Sequence, residues 1–199
     1  MPWGLPGCNR HATLAAAVAA SAPGQSIFLE PGEHALDDVH IMWPLALSGA
    51  AGTVLLVPGG AQRGLAVHAS CRLAALDVRS AALAACVEHV AGRLRIERCA
   101  LRCADVAEHP LAHLSSPILS RARGEAAHTL SVAETQCEGG ATAVRCEGGG
   151  RLESLRVICW RRRSVLFFDV VPGPDTAIPL PCAPVATPPP AAAKLAVAA

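Results

Sequence analysis

Leucines recur along this chain with a period of about 21 residues, and each opens a short apolar segment. Four such segments begin at Leu73, Leu94, Leu130 and Leu152, at intervals of 21, 36 and 22 residues. The residues five positions after each leucine are Val78, Cys99, Thr135 and Val157, and those seven positions after it are Ser80, Leu101, Cys137 and Cys159. Three of the four leucines also have a valine six to eight positions before them, namely Val67, Val87 and Val144. This pattern predicts a strand solenoid, in which stacked turns bury equivalent side chains in columns.

The predicted fold class is therefore all-β, a short parallel β-helix of about six turns. Strand-like segments are short, and no amphipathic helix of about ten residues interrupts them, which disfavours alternating β/α architectures. The alternative is a β-sandwich, whose strands also recur every ~8–12 residues. Sandwich strands are usually longer, however, and need not keep one register over four repeats.

Composition divides the chain into three regions. Residues 1–12 are a short N-terminal arm, and residues 13–171 contain the solenoid. Within it, residues 13–22 predict a helix capping the first turn, because Thr13 can serve as its N-cap and an uncovered sheet edge invites aggregation. An insertion at about 103–128 explains the interval of 36 residues. Half of the sixteen prolines lie in residues 172–199, which predicts an extended or disordered tail.

The opening of the solenoid carries a recognisable motif. A helix-forming segment is followed by P-G-x-x-I-x-L-x-P-G over residues 23–32 and by I-x-x-P-L-x-L-x-G over residues 41–49. This opening resembles that of right-handed parallel β-helix proteins of the pectin-lyase-like superfamily, and in particular the β-helix segments of F-box substrate-recognition subunits and SHC SH2-domain-binding proteins. Gln25, His34 and Trp43 replace the usual Asp, Tyr and Lys. No F-box-like helical segment is present, so the resemblance does not imply a ubiquitin-ligase role.

Composition also restricts the classes of partner. The net charge is +1, aromatic residues make up 3% of the chain and tyrosine is absent, which argues against nucleic-acid binding. No apolar run approaches the ~18 residues that span a bilayer. Nine cysteines, an odd number mostly within apolar alternation, indicate free buried thiols and a cytoplasmic protein. Secretion is the alternative, because Leu14–Ala22 has some features of a signal peptide.

Enzymes with the fold that the resemblance implies use clustered carboxylates. In this sequence Asp77, next to Arg79, is the aspartate that falls clearly within a repeat strand. Three glutamates lie in the repeats at different offsets from their leucines, namely Glu97, Glu134 and Glu153. Different offsets do not form a column, so the sequence predicts no catalytic carboxylate pair.

Metal and nucleophile patterns are weak. A C-x3-C-x5-H-x3-H pattern made by Cys99, Cys103, His109 and His113 has zinc-type ligands. Its central spacer is short, Pro110 interrupts a helix there, and Cys99 is expected to point inward. Other weak candidates are Cys8 with His11, Cys146 beside Arg145, and Cys159 near Arg161, Arg162 and Arg163. We therefore predict no catalytic, metal-binding or cofactor-binding residue and no cofactor.

The sequence favours a non-catalytic recognition or scaffold domain that binds a protein segment or a glycan. Solenoid faces align side chains from successive turns and suit extended ligands. The candidate face lies around Arg95, Glu97, Glu153 and Arg156, with the insertion beside it. We expect a monomer or part of a larger assembly. The alternative is a polysaccharide lyase or glycoside hydrolase, which rests on fold analogy alone.

Overall fold

A computed structural model describes residues 9–61, 63–81, 84–103, 115–121, 128–140, 142–147 and, as backbone, 151–159. The predicted tail, most of the N-terminal arm, and the candidates Cys8, His109, His113 and Arg161–Arg163 lie outside these residues.

The described chain is one helix followed by four turns of three strands each, a fifth turn in which one long strand spans two faces, and the start of a sixth. The elements are α1 (Leu14–Ala20); β1 (Ser26–Leu29), β2 (Gly32–Ala35), β3 (Val39–Ile41); β4 (Leu45–Gly49), β5 (Thr53–Val57), β6 (Leu65–Val67); β7 (Cys71–Ala74), β8 (Asp77–Ser80), β9 (Val87–His89); β10 (Gly92–Glu97), β11 (Ala100–Cys103), β12 (Ile118–Arg121); β13 (His128–Glu138), β14 (Val144–Glu147); and β15 (Arg151–Cys159). Each of the first four turns thus supplies one strand to each of three faces, whereas β13 and β15 each contribute to the first two faces.

All strand pairings in the described chain are parallel and join successive turns. The first sheet contains β1, β4, β7, β10 and the beginnings of β13 and β15. The second contains β2, β5, β8, β11 and the ends of β13 and β15. The third contains β3, β6, β9, β12 and β14. This arrangement confirms the parallel β-helix and excludes the β-sandwich, whose sheets are antiparallel.

The core is a set of inward columns with one residue per turn. One column in the first sheet consists of Leu47, Leu73, Ile96 and Val132, all completely or almost completely buried. A column in the third sheet consists of Val39, Leu65, Val87, Ile118 and Val144. Stacked apolar side chains of this kind account for most of the favourable free energy of folding.

The register corrects part of the predicted alignment. Leu94, Leu130 and Leu152 are paired as predicted, but Leu94 pairs with Cys71, and Leu73 pairs with Ile96. The third turn is therefore displaced by two residues from the predicted alignment. Val78 therefore lies in the column of Leu101, Cys137 and Cys159. On the third sheet, Val67 lies opposite His89 and is not in the column of Val87. Because side chains alternate with a period of two, this displacement leaves every inward residue facing inward.

The first turn is covered by α1, which confirms the capping helix. The Oγ1 of Thr13 accepts a hydrogen bond from the Ala16 amide at 3.1 Å, as expected of an N-cap. Leu14 and Val18 are buried against the core. At the other end of the helix, Trp43 Nε1 donates to Ser21 Oγ at 3.1 Å, which ties the cap to the chain entering the second turn.

The region predicted as an insertion contains a strand of the solenoid. Ile118–Arg121 forms β12, which pairs with β9 below and β14 above. Residues 104–114 and 122–127, on either side, lie outside the described residues. The extra length of this repeat therefore falls in the two connections that flank β12.

Candidate protein-interaction face

The outer side of the first sheet carries three arginines and a glutamate on its third and fourth turns. Arg72 comes from β7, and Arg93, Arg95 and Glu97 come from β10. Alternation in the strands places Cys71, Leu94 and Ile96 inside and these four residues outside. We call this set the arginine face.

One carboxylate holds two of these arginines together. Arg72 donates to Glu97 Oε2 from Nε at 2.9 Å and from Nη2 at 2.7 Å. Arg95 forms an ion pair with Glu97 Oε1. The Arg72 hydrogen bond is the main cause that lowers the pKa of Glu97, so this carboxylate is ionised at neutral pH. The arginine side chains remain 55% and 60% exposed, whereas the Glu97 side chain is 12% exposed.

The arginine face has an excess of positive charge. In the described part of the first sheet, the outward positions of β1, β4, β7, β10 and the beginning of β13 contain three arginines and one acid. The other outward residues are small or uncharged, namely Ser26, Phe28, Ala46, Ser48, Ala74, Thr129, Ser131 and Ala133. At the corner leading to the second sheet, Arg98 and Glu134 add one charge of each sign.

The second sheet pairs its charges differently. Asp77 Oδ2 accepts from Arg79 at 2.8 Å and from Arg102 at 2.9 Å, and Arg102 also pairs with Glu138 at 3.1 Å. Two arginines thus meet two acids, and Glu33 adds a third acid on the first turn. Asp77 and Glu138 are thus joined through Arg102 in an ion-pair ladder, in which both arginines contact Asp77 Oδ2 while Asp77 Oδ1 is buried without a hydrogen-bond partner in the described structure.

A similar ladder runs over the third sheet. Glu88 contacts Arg63 at 3.6 Å and Arg121 at 3.2 Å. Glu147 contacts Arg121 at 2.8 Å and Arg145 at 2.9 Å. The charge of these five residues is +1, and each carboxylate lies between two arginines. The first sheet is therefore the face with the largest local excess of arginine over acid among the described residues.

The residues predicted for the recognition face are only partly brought together. Arg95 and Glu97 are adjacent, as expected. Arg95 lies opposite Ser131, which lies opposite Ser154, so Glu153 and Arg156 fall at irregular positions of the β13–β15 register. Arg72, which the sequence pattern did not indicate, lies opposite Arg95 in the place predicted for Glu153 and Arg156. The two-residue displacement of the third turn hid this neighbour.

The described cysteines of the weak candidate sites have separate, mostly buried environments. Cys99 Sγ donates to Glu97 O at 3.3 Å, and Cys103 Sγ lies 3.8 Å from Cys86 Sγ. Burial raises the pKa of Cys146, which opposes thiolate formation, and its neighbour Arg145 is paired with Glu147. In the part of the chain that the structure describes, no group of three or more His, Cys, Asp or Glu could hold a metal ion.

The interior contains a polar cluster that the sequence pattern did not reveal. His89 Nδ1 lies 3.2 Å and His128 Nε2 2.6 Å from Ser120 Oγ, and His89 Nε2 contacts Gly92 O at 3.1 Å. His89 and Ser120 occupy the inward column that contains Ile41 and Val67. The position of His89 opposite Val67 in the register is the signal that could have identified this column as inward-facing.

Comparison with known proteins gives one informative relative. The chain is 32% identical over 181 residues to the F-box protein SKIP5 of Arabidopsis thaliana, and the aligned part covers 79% of this chain and 65% of that protein. No family model and no solved structure matches the chain. Within the described residues, no helix is long and apolar enough to cross a membrane. The chain is thus similar in sequence to an F-box protein, as the predicted resemblance implied, and its fold is a parallel β-helix.

Proposed function

We propose that this chain is a non-catalytic protein-interaction solenoid, and that its arginine face is the contact surface. The observation that carries the proposal is the excess of arginines over acids on one face of a parallel β-helix, in a chain that is 32% identical to an F-box protein. That name supports protein interaction as the role of the shared region. Whole-protein properties of the relative are not carried over, because the chain spans 65% of its length.

A protein segment suits this face better than a glycan does. Sugar sites commonly use aromatic platforms, and aromatic residues make up 3% of the chain. Phe28 is exposed on the first sheet, but three turns separate β1 from β10. Arginine, in contrast, recognises carboxylates through two parallel hydrogen bonds. The predicted glycan ligand therefore becomes the second candidate.

The carbohydrate-active alternative requires carboxylates placed for acid–base work. Asp77, Glu88, Glu138 and Glu147 are each paired with arginine, and Glu97 is held by two. The Arg72 hydrogen bond lowers the pKa of Glu97, whereas a general acid needs a raised pKa. The arrangement supports a structural role for the described acids.

We place this interaction inside the cell, in the cytoplasm. The described cysteines at positions 71, 86, 99, 103, 137 and 146 are free thiols. Free, mostly buried thiols are typical of proteins from reducing compartments. The protein acts as a monomer or as part of a larger assembly.

Site-specific photo-crosslinking tests the proposal. A benzophenone amino acid replaces Ala133, which lies opposite Glu97 on the first sheet, and in a matched control replaces Leu56 on the second sheet. The full chain is expressed in cells and irradiated. We expect discrete protein adducts from position 133 and not from position 56. Absence of adducts at position 133, or release of unsaturated sugars from polygalacturonate with or without Ca²⁺, would overturn the proposal.

A further inference from the structure

We propose that Cys86 and Cys103 form a reversible disulfide when hydrogen peroxide reaches the protein, and that this bond links the third turn of the solenoid to the fourth. The site is separate from the arginine face and from the buried histidines. Its basis is the placement of two buried thiols beside each other at the end of the second sheet.

The fold brings the two thiols together from successive turns. Cys103 is the last residue of β11 and lies opposite Ser80, the last residue of β8. Cys86 comes immediately before β9, and its Sγ lies 3.6 Å from Val78 O and 3.3 Å from Arg102 O. Because these carbonyl groups belong to β8 and β11, the Cys86 thiol lies at the same end of the second sheet as Cys103.

The two sulfur atoms are in contact in the reduced protein. Cys86 Sγ and Cys103 Sγ are 3.8 Å apart, whereas a disulfide bond is ~2.05 Å long. The sulfur atoms must therefore approach each other by roughly 1.8 Å, and rotation of both side chains shares this movement. We expect the strand pairing of both turns to persist when the bond forms.

The two thiols differ in acidity. A hydrogen bond from the Cys86 thiol is the main cause that lowers the pKa of Cys103. The same hydrogen bond, together with burial, raises the pKa of Cys86. Burial also raises the pKa values of Cys71, Cys99 and Cys146. Because the thiolate is the nucleophile, we expect Cys103 to react first among these five thiols.

Hydrogen peroxide is the oxidant. The Cys103 thiolate attacks one peroxide oxygen and breaks the O–O bond, which gives a sulfenic acid and hydroxide. The Cys86 sulfur then attacks the Cys103 sulfur, and the sulfenic hydroxyl leaves as water with the proton of the Cys86 thiol. The hydroxide takes up the proton that Cys103 released. Two thiols thus lose two electrons in total, and peroxide is reduced to two molecules of water.

Access and compartment agree with this chemistry. Cys103 is 8% exposed, whereas Cys86 is completely buried, so a small oxidant reaches Cys103 first. Disulfides of cytosolic proteins are mostly transient ones with catalytic or sensing roles. A dithiol reductant reverses the bond by thiol–disulfide exchange and is itself oxidised to a disulfide.

Peptide mapping after oxidation tests this site on the full chain. The reduced protein is treated with hydrogen peroxide in native buffer, its remaining thiols are blocked with N-ethylmaleimide in denaturant, and it is digested with trypsin. Cleavage after arginine places Cys86 in residues 80–93 and Cys103 in residues 103–121, while the other cysteines fall in other peptides. We expect these two peptides to be joined, with a mass two hydrogen atoms below their sum, and dithiothreitol to separate them.

Cys103→Ala and Cys71→Ala are a matched pair, because each removes one buried thiol from the solenoid. Cys103→Ala should abolish the joined peptides, and Cys71→Ala should retain at least about half of their yield. In Cys86→Ala, dimedone should trap a sulfenic acid at Cys103. All three variants should keep the parent circular dichroism spectrum.

Three outcomes would overturn the proposal. The first is absence of the joined peptides from the oxidised parent, or their replacement by a product that links Cys103 to Cys137, which lies opposite Leu101 on the next turn. The second is an equal share of the Cys86–Cys103 product after oxidation in urea, because the selectivity would then not come from the fold. The third is a sulfenic acid trapped at Cys86 in Cys103→Ala, which would contradict the order of the two steps.

Discussion

The imidazole rings of His89 and His128 are stacked inside the solenoid, with ring centroids 3.9 Å apart. Ser120 Oγ bridges them, and His128 Nδ1 is buried without a hydrogen-bond partner in the described structure. Protonation of both rings would place two positive charges in contact with little solvent. The native state of this region therefore requires neutral histidines.

We expect the free energy of unfolding to fall as the pH is lowered from 7.5 to 5.0. Desolvation, and then the neighbouring His128, lower the pKa of His89 to about 4, and burial also lowers the pKa of His128. Unfolded histidine titrates near pH ~6.5, so the unfolded chain binds protons that the folded chain excludes. Stability is complete above pH ~6.5 and is lost progressively toward pH ~4, by up to roughly 3 kcal/mol for His89.

Urea unfolding at the two pH values checks this expectation. His89→Gln should reduce the difference in unfolding free energy between pH 7.5 and 5.0. His34→Gln, on the second sheet and away from the buried pair, is the matched control. Parallel pH profiles for the parent and His89→Gln would contradict a role for the buried pair.

Ala75→Gly should stabilise the protein. Ala75 adopts a φ of 54° at the corner between the first and second sheets, where Arg98 and Glu134 have φ of 51° and 50° on the next two turns. A left-handed conformation costs a non-glycine residue roughly 1–2 kcal/mol, and the added freedom of glycine in the unfolded chain offsets part of this. We expect a gain of about 0.5–1 kcal/mol in the free energy of unfolding.

The neighbouring Ala74→Gly is the control for that change. Ala74 is buried within β7, where glycine adds entropy to the unfolded chain and removes a packed methyl group. Chemical denaturation should show destabilisation for Ala74→Gly and stabilisation for Ala75→Gly. Destabilisation by both would refute the strained corner.

Gly64→Ala should destabilise the protein by about 2 kcal/mol or more. A Cβ atom at position 64 would lie 2.6 Å from Cys86 O and 2.7 Å from Ala85 O, on the next turn. Gly60→Ala is the matched control, because a Cβ atom there has no neighbour within 4 Å. Equal thermal midpoints for these two variants would contradict the close approach of the second and third turns.

Cys71 should resist alkylation in the native protein. It lies on an inward column of the first sheet between Leu45 and Leu94, and burial raises its pKa to about 12. At pH 9 its thiolate population should be roughly 500-fold below that of a thiol with a pKa near 9. Iodoacetamide labelling with peptide mapping should show slow modification that becomes rapid in urea. Rapid native labelling would place Cys71 outside the core.

The parallel β-helix was predictable because inward leucines and valines recur once per turn. The register of one turn was not, because Cys71 occupies a column position held by leucine in neighbouring turns. An alignment based on leucine positions places Leu73 opposite Leu94 and therefore shifts the third turn by two residues. A shift of two residues leaves each side chain on the correct side of the sheet but gives it a different partner on the neighbouring strand.

The candidate site consists of side chains from two adjacent strands, so its composition depends on the register between them. The site was therefore predicted only in part. Arg95 and Glu97 are close in sequence and were recognised together. Arg72 joins them only across the β7–β10 pairing, which depends on the correct register. The buried His89 and His128 were missed for a related reason: their burial follows from their column, although histidine is not an apolar residue.

Methyl–methyl nuclear Overhauser contacts along one inward column test the stacking of turns most directly. In a methyl-labelled sample, Leu47 should contact Leu73, Leu73 should contact Ile96, and Ile96 should contact Val132. Leu47 and Val132 should show no contact, because three steps of ~4.8 Å separate them. Absence of the contact between Leu73 and Ile96, or a direct contact between Leu47 and Val132, would contradict the parallel β-helix register on which the arginine face depends.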